Sequence, residues 1–129
     1  MKRFAILAAA LILAVGFAQA VPTARKSATV TTRAFKGEIW DLTCAKRGSH
    51  DVMAKEAGIP SGPQMARKCT LLCHEMGSPL VLYSPSTRKI YKLDDQKKAV
   101  PFAGEKVEIT GILDSATNTI HIERIAAGH

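Results

Sequence analysis

The sequence lacks several features that would point directly to a function. It has no constellation of residues typical of catalysis and no internal repeat, so we expect a binding or structural protein and not an enzyme. No long apolar run follows the first twenty positions, which argues against a transmembrane helix in the rest of the chain. Basic and aromatic residues do not form a joint stripe, so we expect no nucleic-acid partner.

The N-terminal segment has the pattern of a secretory signal peptide. Lys2 and Arg3 form a basic start, residues 4–17 are an apolar run, and residues 18–20 are a small-x-small cleavage site. Cleavage there would leave Val21 first, so no cysteine would be available at that point for a lipid. We therefore expect an exported protein, located in the periplasm or outside the cell.

Removal of the segment 1–20 leaves enough chain for one domain with a modest core. We expect a flexible segment at 21–34, a domain at 35–125 and a tail at 126–129. The formal net charge is +7 at pH 7, of which Lys2 and Arg3 contribute two. We interpret the remaining positive charge as a solubility feature, and we expect a monomer with no membrane span after cleavage.

Hydrophobic alternation and turn residues predict a mainly β fold with a helical insertion. The predicted strands are residues 35–44, 79–83, 89–93, 106–113 and 119–125, and Gly111 predicts a bulge in the fourth. Helices are predicted at 49–57 and 63–76, with one or two helical turns at 94–104. Five short strands in this order are typical of an OB-like Greek-key barrel, here with a cysteine-bearing insertion at 45–77 between strands 1 and 2.

Two of the three cysteines lie on the second predicted helix. Cys69 and Cys73 are one turn apart on the same face, while Cys44 stands at the end of the first predicted strand. An apolar stripe on that helix is predicted from Met65, Cys69, Leu72, Cys73 and Met76.

Several motifs resemble a group of small exported bacterial OB-fold proteins of unknown function that carry an inserted cysteine helix. The resemblance covers residues 35–125 and implies the fold, export and the grouping of the three cysteines, but no activity. The matching motifs are Gly37-x-x-x-Asp41-x-x-Cys44, Cys69-x-x-x-Cys73-x-x-x-Gly77-x-Pro79, Gly104-x-x-Val107-x-Ile109-x-Gly111 and Ile120-x-Ile122.

An odd number of cysteines in an exported chain leaves three hypotheses open. In the first, Cys44, Cys69 and Cys73 bind a soft metal, zinc or copper. The fourth ligand would be one of three nearby side chains, with His74 as our first choice: His74, His50 or Met76.

The second hypothesis is a structural disulfide from Cys44 to Cys69 or Cys73, which would contribute ~3 kcal/mol by the loop-entropy estimate. The protein would then be an OB module that binds a ligand or partner, and its cysteines would only staple the fold. The third hypothesis is covalent haem, because Cys69-x-x-x-Cys73-His74 resembles a c-type attachment motif with one extra residue.

Three aromatic residues on predicted strands have two interpretations. Trp40, Tyr83 and Tyr91 would line a binding face of an OB module, or they would pack in the core and across strands. Packing is the more common role for aromatics on strands.

Overall fold

A computed structural model describes residues 30–129, so the predictions for the signal peptide and for residues 21–29 lie outside the described part. The strands are β1 (Arg33–Asp41), β2 (Leu80–Ser84), β3 (Lys89–Leu93), β4 (Lys106–Asp114) and β5 (Thr119–Ala127). The helices are α1 (Leu42–Arg47), α2 (Asp51–Glu56), α3 (Met65–Glu75) and α4 (Gln96–Ala99), and a 3₁₀ turn follows at Val100–Phe102. Within residues 30–129, no helix combines the length and the apolar character needed to cross a bilayer.

The five strands form one sheet that closes on itself into a ring. Their order around the ring is β1-β2-β3-β5-β4, and β4 returns to pair with β1. All neighbours are antiparallel except β3 and β5, which form a short parallel pair. The predicted mainly β class, the five strands and the position of the helical insertion are confirmed.

The interior of the ring is filled by inward-facing apolar side chains. On β4 the alternation places Val107 and Ile109 inside. The register with β5 shifts between Thr110 and Gly111, which confirms the predicted bulge. A side chain at Gly111 would collide with the carbonyl oxygen of His121, so the close approach of the two strands there requires glycine.

The insertion begins and ends at neighbouring points of the ring. Asp41, the last residue of β1, is paired with Leu80 on β2, and the Leu42 N–H donates to the Pro79 carbonyl at 2.9 Å. Helices α1, α2 and α3 therefore form a compact layer on the outside of the β1–β2 pair. They cover the side chains that these two strands direct away from the ring interior: Trp40, Val81 and Tyr83.

Strand β1 ends earlier than predicted, and Cys44 lies on helix α1 instead of on a strand. The Asp41 side chain accepts a hydrogen bond from the Cys44 N–H at 3.0 Å, so Asp41 caps a helix where a strand was expected to continue. The chain bends outward at this residue. This bend directs the Cys44 side chain toward the inserted helices.

Helix α3 presents a narrower buried face than predicted. Cys69 and Cys73 are buried, together with Thr70, which the predicted stripe did not include. The prediction was wrong for Leu72 and Met76, which are exposed. The core-facing side of α3 is therefore made mainly of its two cysteines.

A tight contact with the loop before β4 fixes helix α3 against the ring. Gly104 has a φ of +73° and lies so close to Arg67 that a Cβ atom would meet the Arg67 backbone. The Arg67 guanidinium donates to the carbonyl oxygens of Pro101 (3.0 Å) and Ala103 (3.3 Å). The Gly104 N–H in turn donates to the Ile39 carbonyl at 2.7 Å, which ties this loop to β1.

Candidate metal site

The junction of β1 and α1 holds the first two side chains of the site. The Asp41 carboxylate is fully buried, and its Oδ1 accepts from the Cys44 N–H (3.0 Å) and from the Ser78 hydroxyl (3.3 Å). The Thr43 N–H donates to the same hydroxyl oxygen at 3.2 Å. Ser78, which lies just before β2, therefore fixes the position of Asp41 and of the first turn of α1.

Helix α3 brings the other two cysteines to the same place. The Cys69 sulfur lies 3.8 Å from the Cys44 sulfur, and Cys73 follows one turn later on the same face of α3. All three cysteines are buried, and no disulfide joins any two of them. The predicted grouping of the three sulfurs is therefore confirmed, although they lie on two helices and not on a strand and a helix.

His50 lies directly before α2, with its ring packed on the indole of Trp40. The two ring centroids are 4.1 Å apart, and on its other side Trp40 packs against Tyr83 at 4.4 Å. His50 is only 4% exposed, yet neither ring nitrogen has a hydrogen-bond partner among residues 30–129. A buried polar group without a partner lowers the stability of the fold by an amount on the order of 1–3 kcal/mol. A ligand bound to the imidazole would remove this cost.

The donor atoms of these five residues form two overlapping groups of three. One group is Cys44, His50 and Cys69, and the other is Asp41, Cys44 and Cys73. Within each group the donor atoms lie within 4.8 Å of one another, which is close enough to hold a metal ion. The two groups share Cys44. Asp41 Oδ2 is also buried without a hydrogen-bond partner in the described part of the chain.

Burial shifts the pKa values of Cys44, Cys73 and His50 toward their neutral forms. The pKa of Cys44 is raised strongly by burial, and a hydrogen bond with Asp41 and its charge add to this effect. Burial, with the Asp41 charge as the next cause, raises the pKa of Cys73 to about 11. Burial lowers the pKa of His50, against the opposing charge of Asp41. Without a cation the Cys44 and Cys73 thiols keep their protons, and binding of a cation would displace them.

The structure does not bring His74, the histidine favoured from the sequence, into either donor group, whereas it brings in His50, one of the two alternatives. The His74 Nδ1–H donates to the Ser78 carbonyl at 3.0 Å, at the end of α3. Met76, the other alternative beside His50, is 73% exposed. Sequence reasoning also missed Asp41 as a donor. Asp is a favoured helix N-cap residue, and this preference was the available signal for its position.

A cleft of about 610 Å³ opens beside the site. Cys73 contributes to its wall, together with Met53 of α2, Met76 and the basic end of α1 at Lys46 and Arg47. Cys44, Cys69 and His50 do not line it. Of the three cysteines, Cys73 is therefore the one that borders an opening to the surface.

The three aromatic residues pack against other side chains. Trp40 and Tyr83 are buried beneath the insertion, and Tyr91 packs on Phe35 with the ring centroids 5.7 Å apart. The packing interpretation of these residues is confirmed, and no exposed aromatic face is formed by Trp40, Tyr83 and Tyr91.

Comparison of the chain with protein-family models, with curated proteins and with solved structures finds no match. The function must therefore be argued from the site.

Proposed function

We propose that this protein binds one soft metal ion, zinc before copper(I), in the buried cluster beneath its helical insertion. The inner ligands are Cys44, His50 and Cys69, and Asp41, whose carboxylate lies close to Cys44, completes the set. The observation that carries the proposal is His50, whose ring nitrogens are buried without a partner beside two thiols. We infer that the metal has a structural role and holds the insertion against the ring.

A cation would provide a partner for two of the unsatisfied atoms of the cluster, Asp41 Oδ2 and one ring nitrogen of His50. Asp41 is fully buried, and it forms no ion pair with a basic side chain of residues 30–129. A buried carboxylate or imidazole without a partner is costly, and a bound cation would provide a partner for both.

The types of the donor atoms favour zinc. Thiolate sulfur with imidazole nitrogen is a usual set for structural zinc, and Cu(I) also accepts thiolates. Structural zinc sites are closed, whereas catalytic sites keep an open position for water or substrate. Because all five side chains are buried, the site fits a structural metal better than a catalytic one.

Export and fold type complete the proposal. We infer an OB-type Greek-key barrel from the five strands and the helical element between β3 and β4, as the resemblance to small exported OB-fold proteins implies. We also propose that the segment 1–20 directs export. In an oxidising compartment free thiols are prone to oxidation. Burial by itself leaves the three cysteines of the site as free thiols, and a bound metal would protect them from oxidation.

The alternatives have less support. If the cysteines were oxidised, the 3.8 Å contact favours a bridge from Cys44 to Cys69 over one to Cys73. Covalent haem does not fit, because the Cys69 sulfur is completely buried and could reach a porphyrin only if α3 left the ring. A ligand-binding OB module loses its aromatic face, since Trp40 and Tyr83 are covered by the insertion.

The test is native mass spectrometry and elemental analysis of the full chain purified without chelator. We expect one equivalent of zinc or copper and three reduced cysteines. His50→Ala should weaken metal binding at least tenfold, whereas His121→Ala, on the exposed side of β5, and His74→Ala should leave it unchanged. A metal-free protein with a disulfide would show that the cysteines are only a staple.

A further inference from the structure

The two donor groups of the site differ in their access to the cleft. Cys44, His50 and Cys69 form the inner group, and none of them borders the cleft. Cys73 belongs to the outer group, with Asp41 and Cys44, and also lines the cleft. A continuous series of donors therefore runs from the surface to the inner group, with Cys44 common to both.

We propose that the outer group is the exchange position of the site, through which the metal passes between the cleft and the inner group, with Cys73 as the entry ligand. This inference rests on the proposed metal binding. To the proposed binding, the inference adds the route by which the metal enters and the chemical form in which it arrives. The incoming species is a small anionic complex of the metal, and not the hydrated ion.

A shared ligand makes this transfer physically feasible. A metal ion without ligands in an apolar interior would lose far more solvation energy than a protein can replace, so it must remain coordinated at every step. An ion held by Cys73, Asp41 and Cys44 can gain His50 and Cys69 while Cys44 stays bound. The donor atoms are close enough for this, because each group spans no more than 4.8 Å.

The chemistry of the cleft indicates which form of the metal enters. Met53 and Met76 contribute thioethers, which are soft donors suited to the same metals as thiolates. Lys46 and Arg47 are the charged residues of its wall, and no acidic residue lines it. A positive wall repels a hydrated cation and attracts an anion, which favours a metal carried by thiolate or carboxylate ligands.

The exchange step is a ligand substitution without change of oxidation state. A bond forms between the metal and the Cys73 sulfur, and one bond between the metal and its carrier breaks. The proton of the Cys73 thiol passes to the departing donor atom of the carrier. The same step in reverse releases the metal.

The test compares rates with equilibrium affinity in the full chain. Metal-free protein is mixed with the anionic zinc complex of nitrilotriacetate or with zinc sulfate, and uptake is followed by stopped flow. Cys73→Ser should slow both uptake and release at least tenfold and change Kd less than threefold. Cobalt(II) bound to this variant should keep the charge-transfer bands of thiolate ligands, which report the inner cysteines.

The basic wall provides a second, independent variant. Lys46→Gln combined with Arg47→Gln should slow uptake from the nitrilotriacetate complex about fivefold, and it should not slow uptake from zinc sulfate. Lys55→Gln is the matched control, because Lys55 lies on α2 outside this cleft. If Cys73→Ser does not fold, this pair of variants alone decides the matter.

Two results would overturn the inference and leave the proposed function intact. One is a loss of affinity in Cys73→Ser as large as that in His50→Ala, which would make Cys73 a permanent ligand of a single site. The other is uptake from the anionic complex that does not respond to the charge of the wall. Failure of the unaltered protein to bind any metal would instead refute the proposed function.

Discussion

The molecule contains two buried clusters of opposite character, one inside the ring and one beneath the insertion. The ring interior consists of apolar side chains packed from all five strands, such as Ile39, Leu82 and Ile109. The cluster beneath the insertion combines three thiols with aromatic rings, and it surrounds Asp41 and His50. In residues 30–129, four buried side-chain nitrogen or oxygen atoms have no hydrogen-bond partner. All four belong to the insertion side: Asp41 Oδ2, both ring nitrogens of His50 and Thr70 Oγ1.

The difference indicates that the two regions are stabilised in different ways. Apolar burial contributes about 25 cal/mol per Å², and it needs no partner beyond the neighbouring side chains. Buried polar atoms instead weaken a region until something binds them. The ring is therefore expected to be stable by itself, whereas the insertion reaches full stability only with a bound cation. Each prediction below tests or sharpens this contrast.

Metal removal should have the largest effect, and it should be confined to the insertion. At a free metal concentration of about 1,000 times Kd, binding stabilises the folded state by about 4 kcal/mol. We expect a chelator to speed amide hydrogen exchange in α1 and α3 at least tenfold and to leave β4 and β5 nearly unchanged. Uniform acceleration across both regions would contradict the contrast between them.

Two adjacent residues of β2 offer a matched comparison of the clusters. Leu82 points into the ring and Val81 points toward the insertion. Leu82→Ala should lower the free energy of unfolding by about 3 kcal/mol through the cavity it leaves, with or without metal. Val81→Ala should cost less in stability but should also weaken metal binding. Urea titrations of both variants, each with zinc and with chelator, measure the four free energies of unfolding.

The contact of Gly104 with Arg67 links the two regions and gives the next prediction. Gly104→Ala places a Cβ against the Arg67 backbone and forces a non-glycine residue to adopt a φ of +73°. We expect a loss of about 2 kcal/mol, and weaker metal binding because Cys69 moves with α3. Gly58→Ala, with a φ of +67° and nothing within 4 Å, is the control for the backbone effect alone. Equal metal affinity in the two variants would show that α3 does not position the site.

The smallest predicted effect lies in the ring, at the short parallel pair of β3 and β5. Asp94 accepts from the Ile122 N–H at 2.9 Å and lies 3.1 Å from His121 Nδ1. Burial acts to raise the pKa of Asp94, but these hydrogen bonds outweigh it and lower the pKa below its usual value of 3.8. The ionised form of the Asp94 side chain is therefore more stable in the folded state than in the unfolded state.

The sign of the resulting pH dependence follows from the lowered pKa. The stabilisation is present above pH 4 and is lost as the pH falls through the lower pKa of the folded state. Because the side chain is about one-third exposed, we expect Asp94→Asn to cost only about 0.5 kcal/mol at pH 7. Thermal unfolding at pH 7 and pH 2.5 should show that the difference from the unaltered protein becomes smaller at the lower pH.

The ring was more predictable from the sequence than the site. Alternation in residues 106–113 and the glycine at 111 reflect local constraints of a strand, and local constraints can be read without the tertiary structure. Helix α1 could not be predicted in the same way. The residues before and at Cys44 have strand propensity, and the bend depends on the hydrogen bonds of Asp41 with Cys44 and Ser78.

The choice of histidine shows why the ligand set was only partly predicted. His74 adjoins Cys73 in sequence, but successive residues of a helix point in different directions. His50 is 19 residues from Cys69, and it reaches the cluster because its ring packs on Trp40. Contacts of this kind depend on how the insertion folds back on the ring, which the spacing of residues does not reveal. Cys69 and Cys73 were predictable as a pair because they share one helix face, and their grouping with Cys44 was implied by the resemblance to small exported OB-fold proteins.

The pairing of Asp41 with Leu80 makes the site a detachable module. Asp41 is itself one of these paired positions, and the other four donors lie between them, in one continuous segment that leaves the ring and returns to it at the same point. A short hairpin turn in place of residues 42–79 would restore a plain two-strand connection, provided that polar residues replaced Trp40, Val81 and Tyr83. Conversely, the segment could be grafted onto another antiparallel pair that offers two adjacent strand ends and an apolar surface beside them.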